Sequence, residues 1–356
     1  MKLRPEIQGL RAVAVLLVIA GHAFPGLFPA GYVGVDIFFL ISGYVITSML
    51  MRDVEKPLFT YLVDFYARRI RRIIPSAVVI ILATVFTTIH ILGFITGGDT
   101  ARDGIWALFF LANYHFSSQA VDYFASATPL PMLQHYWSLA IEEQFYLLWP
   151  ALFYFSYHVL KKPLHATVLI IVSSLSFYLV NNGAENPKIY FSTLARFWEL
   201  SLGALIALIA RKFANNRLAL VATLLSLVLG VEGDLIGKNL SQISSVVIAG
   251  IIVLFSTSSI PLLSSKVMIY LGNISYLLYL IHWPMLQIPR LYKGSEISLA
   301  FRVGMIVATI VLAALLHHTV ERPIRYQSTL VKSPSKTFIS ILTSVTIAYV
   351  ILRMVQ

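Results

Sequence analysis

Eleven apolar stretches of roughly 20 residues run through this chain, and membrane-spanning helices are the only common structure that uses so many at that length. They lie near 8–24, 31–50, 74–97, 137–159, 164–182, 190–210, 217–231, 243–259, 267–288, 299–319 and 337–353. A weaker twelfth covers 103–117. Charged residues make up 12% of the 356, about half of the roughly 25% found in soluble domains. Mean hydropathy is +0.80. These values exclude a water-soluble enzyme, a disordered chain and a nucleic-acid-binding domain, even with a net charge of +11. The lack of Cys excludes a thioester on cysteine, a thiolate metal site and disulfides. The expected fold class is all-α, a polytopic membrane helical bundle.

The basic excess is read as topology. With a cytoplasmic N-terminus and no crossing at 103–117, eighteen of the 27 Lys and Arg fall inside, six outside, and Arg11, Arg196 and Arg302 within spans. A crossing at 103–117 would flip every later segment and erase most of that asymmetry. Eleven spans are therefore expected, with the C-terminus outside. Residues 98–136 are expected as an outer loop with a short membrane-dipping helix, and 51–73 as the longest inner loop. Arg11 inside the first apolar stretch, with no A-x-A site after it, makes that stretch a span rather than a cleaved signal. No room is left for a soluble domain, and no internal repeat is visible.

Ionisable residues inside spans are expensive, so each is a functional candidate. Arg11 and His22 are eleven residues apart, three helical turns plus 20°, so they share a face about 16 Å apart along the axis. A ligand with an anionic head inside and a reactive tip near the outer surface would fit that face; an interfacial anchor and a packed histidine are the plain readings. Asp36, at the outer start of the second span, is brought towards His22 by the turn containing Pro25, Gly26 and Pro29. It either fixes the tautomer of His22 or caps its own helix.

Arg68, Arg69, Arg71 and Arg72 cluster just inside the membrane, where guanidinium pairs grip phosphates or anionic lipid. Glu142 and Glu143 lie one to two turns into the fourth span, a depth that suits proton handling or a charge partner. Arg196 and Glu199 are i, i+3 and read first as a structural pair. His282 fits a kink histidine or an outer-site group. Glu321, at the inner end of the tenth span, either meets the arginines or is solvated. His90, His317 and His318 read as interfacial. There is no P-loop, GxSxG, HExxH or sequence-local metal-ligand motif.

Several of these blocks together resemble acyltransferase family 3, the bacterial polytopic O-acyltransferases. The opening Arg4-Pro-Glu-Ile-Gln-Gly-Leu-Arg-Ala-Val-Ala-Val and the Arg11-x10-His22 spacing match its start. Gly34-Val-Asp-Ile-Phe-Phe-Leu-Ile-Ser-Gly43, Phe65 to Pro75, Trp137 to Pro150, His282-Trp-Pro and Glu321-Arg-Pro match further blocks in order. The resemblance covers about residues 4 to 326 and implies ten family-type spans, to which 337–353 adds an eleventh. The implied organisation is a membrane domain over 1–330, then a linker and extra helix over 331–356. Similar proteins with an eleventh span often carry an outer SGNH-type domain after it. An end at Gln356 fits a shortened form or a naturally short version, and the lack of such a domain would weaken the final transfer.

The resemblance implies an acyl-CoA-dependent O-acyltransferase in the bacterial inner membrane. Acetyl-CoA is the expected donor substrate; no permanently bound cofactor and no metal are expected. Arg68, Arg69, Arg71 and Arg72, with Arg11, are implied to hold the CoA phosphates. His22, oriented by Asp36, is implied as general base or acyl acceptor, with Glu142 and Glu143 at the outer site. His135, Trp137, His282 and Glu321 are implied as supporting residues. The expected partners are membrane lipid, an envelope-glycan acceptor such as O-antigen or exopolysaccharide, and an outer SGNH-type domain or partner protein. Two other readings stay open: a translocator that passes the acyl group to a separate outer transferase, and a proton-coupled transporter.

Overall fold

A computed structural model describes residues 4–119, 130–209, 216–256, 260–294 and 297–356. Among them there is no strand. Helix α1 spans Pro5–Ala23, α2 Val33–Asp53, α3 Leu58–Leu92, α4 Phe94–Leu108, α5 Ala112–Ser118, α6 Tyr136–His158 and α7 Pro163–Val180. Then come α8 Thr193–Ile209, α9 Asn216–Glu232, α10 Lys238–Phe255, α11 Lys266–Asn273, α12 Ser275–Lys293, α13 Leu299–Leu316 and α14 Pro334–Val355. Where described, the eleven apolar stretches lie mainly on helices, although 74–97 runs from α3 into α4 and 267–288 is divided between α11 and α12. Lys2, Arg211 and Lys212, which helped to set the topology, lie outside the described residues, as do 120–129 of the expected outer loop and 257–259 of the eighth stretch.

Among the described residues, seven helical segments are long and apolar enough to cross a membrane by length and composition. Helices α8 and α9 are a little short at 17 residues each. Helices α6 and α12 are diluted by polar and aromatic residues, including Glu142 and Glu143 in one and His282, Gln287 and Arg290 in the other. The chain is a multi-pass membrane protein on this count.

The expected inner loop at 51–73 is mostly helix. Helix α3 has 35 residues, about 52 Å at 1.5 Å per residue, against roughly 30 Å of hydrocarbon. Its first turns bury Tyr61, Phe65, Ala67, Arg71 and Pro75, a stripe spaced by four over most of its length. The four arginines hid that stripe from a hydropathy reading, yet Arg is itself a good helix former. The dipping helix expected at 103–117 is two helices, α4 and α5, joined at Phe110 with a positive φ of 55°.

The described chain divides into two compact units. The first comprises Met1–Val54 and Ile141–Tyr276, and the second Glu55–Ala140 and Leu277–Gln356.

In the first unit α1 and α2 form the interior, with 72% and 67% of their apolar windows buried. Glycines permit close helix crossings, as small residues do inside membranes. A Cβ on Gly31 would stand 2.4 Å from Leu17 O, and one on Gly34 2.3 Å from Ala14 O. The N-terminal turns of α2 therefore lie against the later turns of α1. Gly43 of α2 and Gly203 of α8 make the second crossing, each in near contact with the other helix's backbone at Leu200 O and Leu40 O. Arg4 donates to Ser256 O at 2.9 Å and Val253 O at 2.8 Å, placing a cation on the C-terminal carbonyls of α10.

The second unit is built on α3, against which α14 packs, together with α4. Helix α14 is thus part of this unit. Arg71 fastens it by donating to Leu330 O at 3.2 Å and Thr337 Oγ1 at 3.1 Å.

Candidate functional site

In the first unit the candidate residues come from α1, α2, α6 and α8. Arg11 and His22 both lie on α1, as the spacing required. Arg11 is largely buried and donates to Gln8 Oε1 at 3.2 Å. His22 occupies the last turn of α1 and is half-buried.

Asp36 follows the Gly31 and Gly34 crossing and is completely buried. Sequence reasoning aimed it at His22, but its hydrogen bonds go elsewhere. Arg196 Nη2 donates to Asp36 Oδ1, and Gln242 Nε2 donates to the same oxygen at 3.4 Å. Arg196 also donates through Nη1 to Gln242 Oε1 at 3.0 Å, and its Nε lies 3.2 Å from Glu199 Oε1. Its guanidinium sits over the rings of Tyr190 and Phe39, at 5.1 and 5.6 Å from their centroids. Tyr178 completes the group by donating to Gln242 Oε1. The expected i, i+3 pair of Arg196 and Glu199 is present, and Asp36 joins it. One buried guanidinium thus faces two buried carboxylates, and a bidentate cation is the partner a buried carboxylate seeks first.

Glu142 is tied to α2 as well. Ser42 Oγ donates to Glu142 Oε1 at 2.7 Å, and Tyr146 OH donates to the same oxygen. Glu143, the next residue, is half-buried. Helix α2 thus holds two acidic contacts six residues apart, one on α8 through Asp36 and one on α6 through Ser42.

In the second unit the arginines divide. Arg68, Arg69 and Arg72 are half-buried, whereas Arg71 is buried and spent on Leu330 and Thr337. The i+3 step from Arg68 makes Arg71 the α14 contact. Glu321 sits in a π-helical turn at His317–Glu321. Its Oε2 accepts from His317 Nδ1 at 2.9 Å and its Oε1 is 3.6 Å from Arg325. The inner arginine it positions is Arg325, one turn on, and not a member of the 68–72 cluster.

His135 donates through Nε2 to Leu280 O at 3.0 Å, which leaves Nδ1 as a buried lone pair with no hydrogen-bond partner among the described residues. His282 donates through Nδ1 to Tyr279 O at 2.6 Å. The two imidazoles meet edge to face at 5.6 Å. Tyr279 OH donates to His135 O at 3.0 Å and lies 2.6 Å from Ser138 Oγ. Trp137 is fully buried beside this group in sequence.

Several polar residues carry weight that sequence reasoning passed over. Gln242, Ser42, Tyr146 and Tyr279 each bond a candidate residue, and the only signal was a hydrogen-bonding side chain within an apolar stretch. Asp103 and His115 were also missed. They pair at 2.8 Å, both largely buried, with Trp106 stacked on the imidazole at 5.2 Å. Burial pushes the Asp103 carboxyl above its ordinary value, and the His115 contact opposes that shift. Among the described residues no group of His, Cys, Asp and Glu is arranged to hold a metal.

A family profile described as an acyltransferase domain matches residues 4–318. O-acetyltransferase OatA of Staphylococcus aureus (strain NCTC 8325 / PS 47) is 33% identical over 346 residues, 90% of this chain and 57% of that protein. YrhL of Bacillus subtilis (strain 168), provisionally named a peptidoglycan O-acetyltransferase, is 34% identical over 355 residues, 91% of this chain and 55% of that protein. The chain therefore spans a little over half the length of these relatives. No solved structure matches it.

Proposed function

The chain belongs to acyltransferase family 3, and from that premise we propose that it is an integral-membrane O-acetyltransferase acting on a cell-envelope glycan. The name of one relative, YrhL, favours peptidoglycan as the acceptor, rather than the O-antigen or exopolysaccharide anticipated from sequence. The donor in this reading is acetyl-CoA from the cytoplasm, and transfer takes place on the outer side of the bacterial inner membrane.

The observation that carries the reading is the shared α1 face of Arg11 and His22, on a buried helix that glycines press against α2. A cation and a base about 16 Å apart suit a donor with a phosphate end and a reactive thioester end. Arg11 is a phosphate ligand in this reading, as are Arg68, Arg69 and Arg72, and the pantetheine arm lies along α1 towards His22. His22 accepts the proton of the glycan hydroxyl as that oxygen attacks the thioester carbonyl. An ester forms, the C–S bond breaks, and the proton passes from His22 to the departing thiolate. Asp36 acts as a positioning residue through Arg196, fixing the start of α2 against α8. Glu142 and Glu143 line the outer site in this reading, and His135, Trp137 and His282 keep a supporting role within their own unit.

A second reading has one observation in its favour. The relatives extend well beyond the part this chain matches, which suits a translocator that hands acetyl to a separate outer transferase domain.

The test uses the purified chain in proteoliposomes with acetyl-CoA and soluble peptidoglycan fragments. Coupled CoA release and ester formation on the fragment is expected, with His22→Ala reducing it about 100- to 10,000-fold. Wild-type turnover in His22→Ala would overturn the base assignment. CoA release without fragment acetylation would favour the translocator.

A further inference from the structure

The second unit contains a cavity of about 460 Å³ that no role above uses. Its size falls within the roughly 300–1,000 Å³ usual for small-molecule sites. Helix α4 supplies Thr96, Thr100 and Asp103, the end of α5 supplies Gln119, and Pro131 and Leu291 form part of the apolar wall. Behind Asp103 stands His115, whose Nε2 holds Asp103 Oδ1 at 2.8 Å and lies 3.1 Å from Gln119 Nε2. No hydrogen bond among the described residues goes to Asp103 Oδ2, and Asp103 lines the cavity. The wall is fixed in place, because Trp283 Nε1 donates to Pro131 O at 2.9 Å.

The chemistry of the lining narrows the ligand. Asp99 and Asp103 face one guanidinium, Arg102, which disfavours an anion. No three-ligand metal group exists among the described residues, which disfavours a metal ion. What remains is a neutral ligand rich in hydrogen-bond donors and acceptors. A carboxylate, threonine hydroxyls, an amide and a guanidinium beside apolar walls match the hydroxyls and acetamide of a sugar.

We propose that this cavity binds one sugar residue of the acceptor glycan, with Asp103 as the hydroxyl-binding group and His115 as its positioning residue. This rests on the glycan O-acetyltransferase reading above. The test measures binding of a soluble peptidoglycan disaccharide by equilibrium dialysis, and the KM for fragment and for acetyl-CoA, in the full chain. Asp103→Asn and Gln119→Ala are expected to weaken fragment binding and raise its KM about tenfold, with the KM for acetyl-CoA and thermal stability unchanged. Gln119→Ala leaves the Asp103–His115 pair in place and covers the case in which Asp103→Asn misfolds. Fragment binding equal to wild type in both variants overturns the proposal, as does no fragment binding by wild type. Fragment binding that depends on Asp103, in a protein that transfers no acetyl, would sink the enzymatic reading and leave the cavity assignment standing.

Discussion

Arg196 Nη2 donates to Asp36 Oδ1 across 160 positions of sequence, in a site with no solvent exposure on either side chain. The pair is asymmetric because Glu199 shares the guanidinium. Removing Arg196 strands two buried carboxylates, whereas removing Asp36 leaves the cation one partner. Breaking a buried pair costs about 3–5 kcal/mol. Arg196→Ala should therefore lower thermal stability in detergent by more than Asp36→Ala does. Arg196→Lys should rescue little, since a single ammonium cannot reach Asp36, Gln242 and Glu199 together. Equal losses in the two alanine variants would contradict the shared-cation account.

The crossing of α2 and α8 gives a second expectation. A Cβ on Gly43 would lie 1.8 Å from Leu200 O, and one on Gly203 2.0 Å from Leu40 O. Both obstacles are backbone, so the helices must part. Gly43→Ala and Gly203→Ala should each cost about 1–3 kcal/mol or more and separate Asp36 from Arg196. Gly304, in α13, has nothing within 4 Å of its would-be Cβ. Gly304→Ala should instead stabilise by about 0.5–1 kcal/mol. Melting temperatures of the three variants check the ordering.

The arginines of α3 should separate by function. Arg71→Ala removes donors to Leu330 O and Thr337 Oγ1, a loss of about 1–3 kcal/mol. It should expose 327–333 to limited proteolysis and leave the KM for acetyl-CoA near wild type. Arg69→Ala/Arg72→Ala should do the reverse, raising that KM at least tenfold with α14 still protected. A raised KM in Arg71→Ala without new cleavage would return Arg71 to the donor site.

Hydropathy carried most of the fold, because a bilayer permits so few arrangements of backbone polar groups. Where described, the eleven apolar stretches are mainly helical, and the α1 face shared by Arg11 and His22 follows from helical period alone. Partner choice was less legible. Asp36 looked free for His22 because the turn between α1 and α2 is short, but Arg196 reaches it from 160 residues away. Gln242 and Ser42 carried no motif of their own. The helical start of α3 was masked by arginines that a topology rule counts as loop. Long-range pairing of this kind depends on which helices cross, and small glycine contacts set those crossings.

The Asp103–His115 pair makes a prediction in which binding and stability move oppositely with pH. Burial holds the Asp103 carboxyl above its ordinary value in the folded protein. A folded value above the unfolded one means that this group favours folding most at acid pH. That contribution is lost as pH rises through the folded value. Sugar hydroxyls, by contrast, donate best to the ionised carboxylate, so fragment affinity should rise over the same interval. His115 contact lowers the Asp103 value, so His115→Ala should shift both transitions to higher pH. Asp103→Asn, which does not ionise, should abolish this component of each. The measurement is fragment Kd and Tm from mildly acidic to neutral pH in wild type and the two variants. A fragment affinity that keeps the same pH profile in Asp103→Asn as in wild type would remove Asp103 from the site.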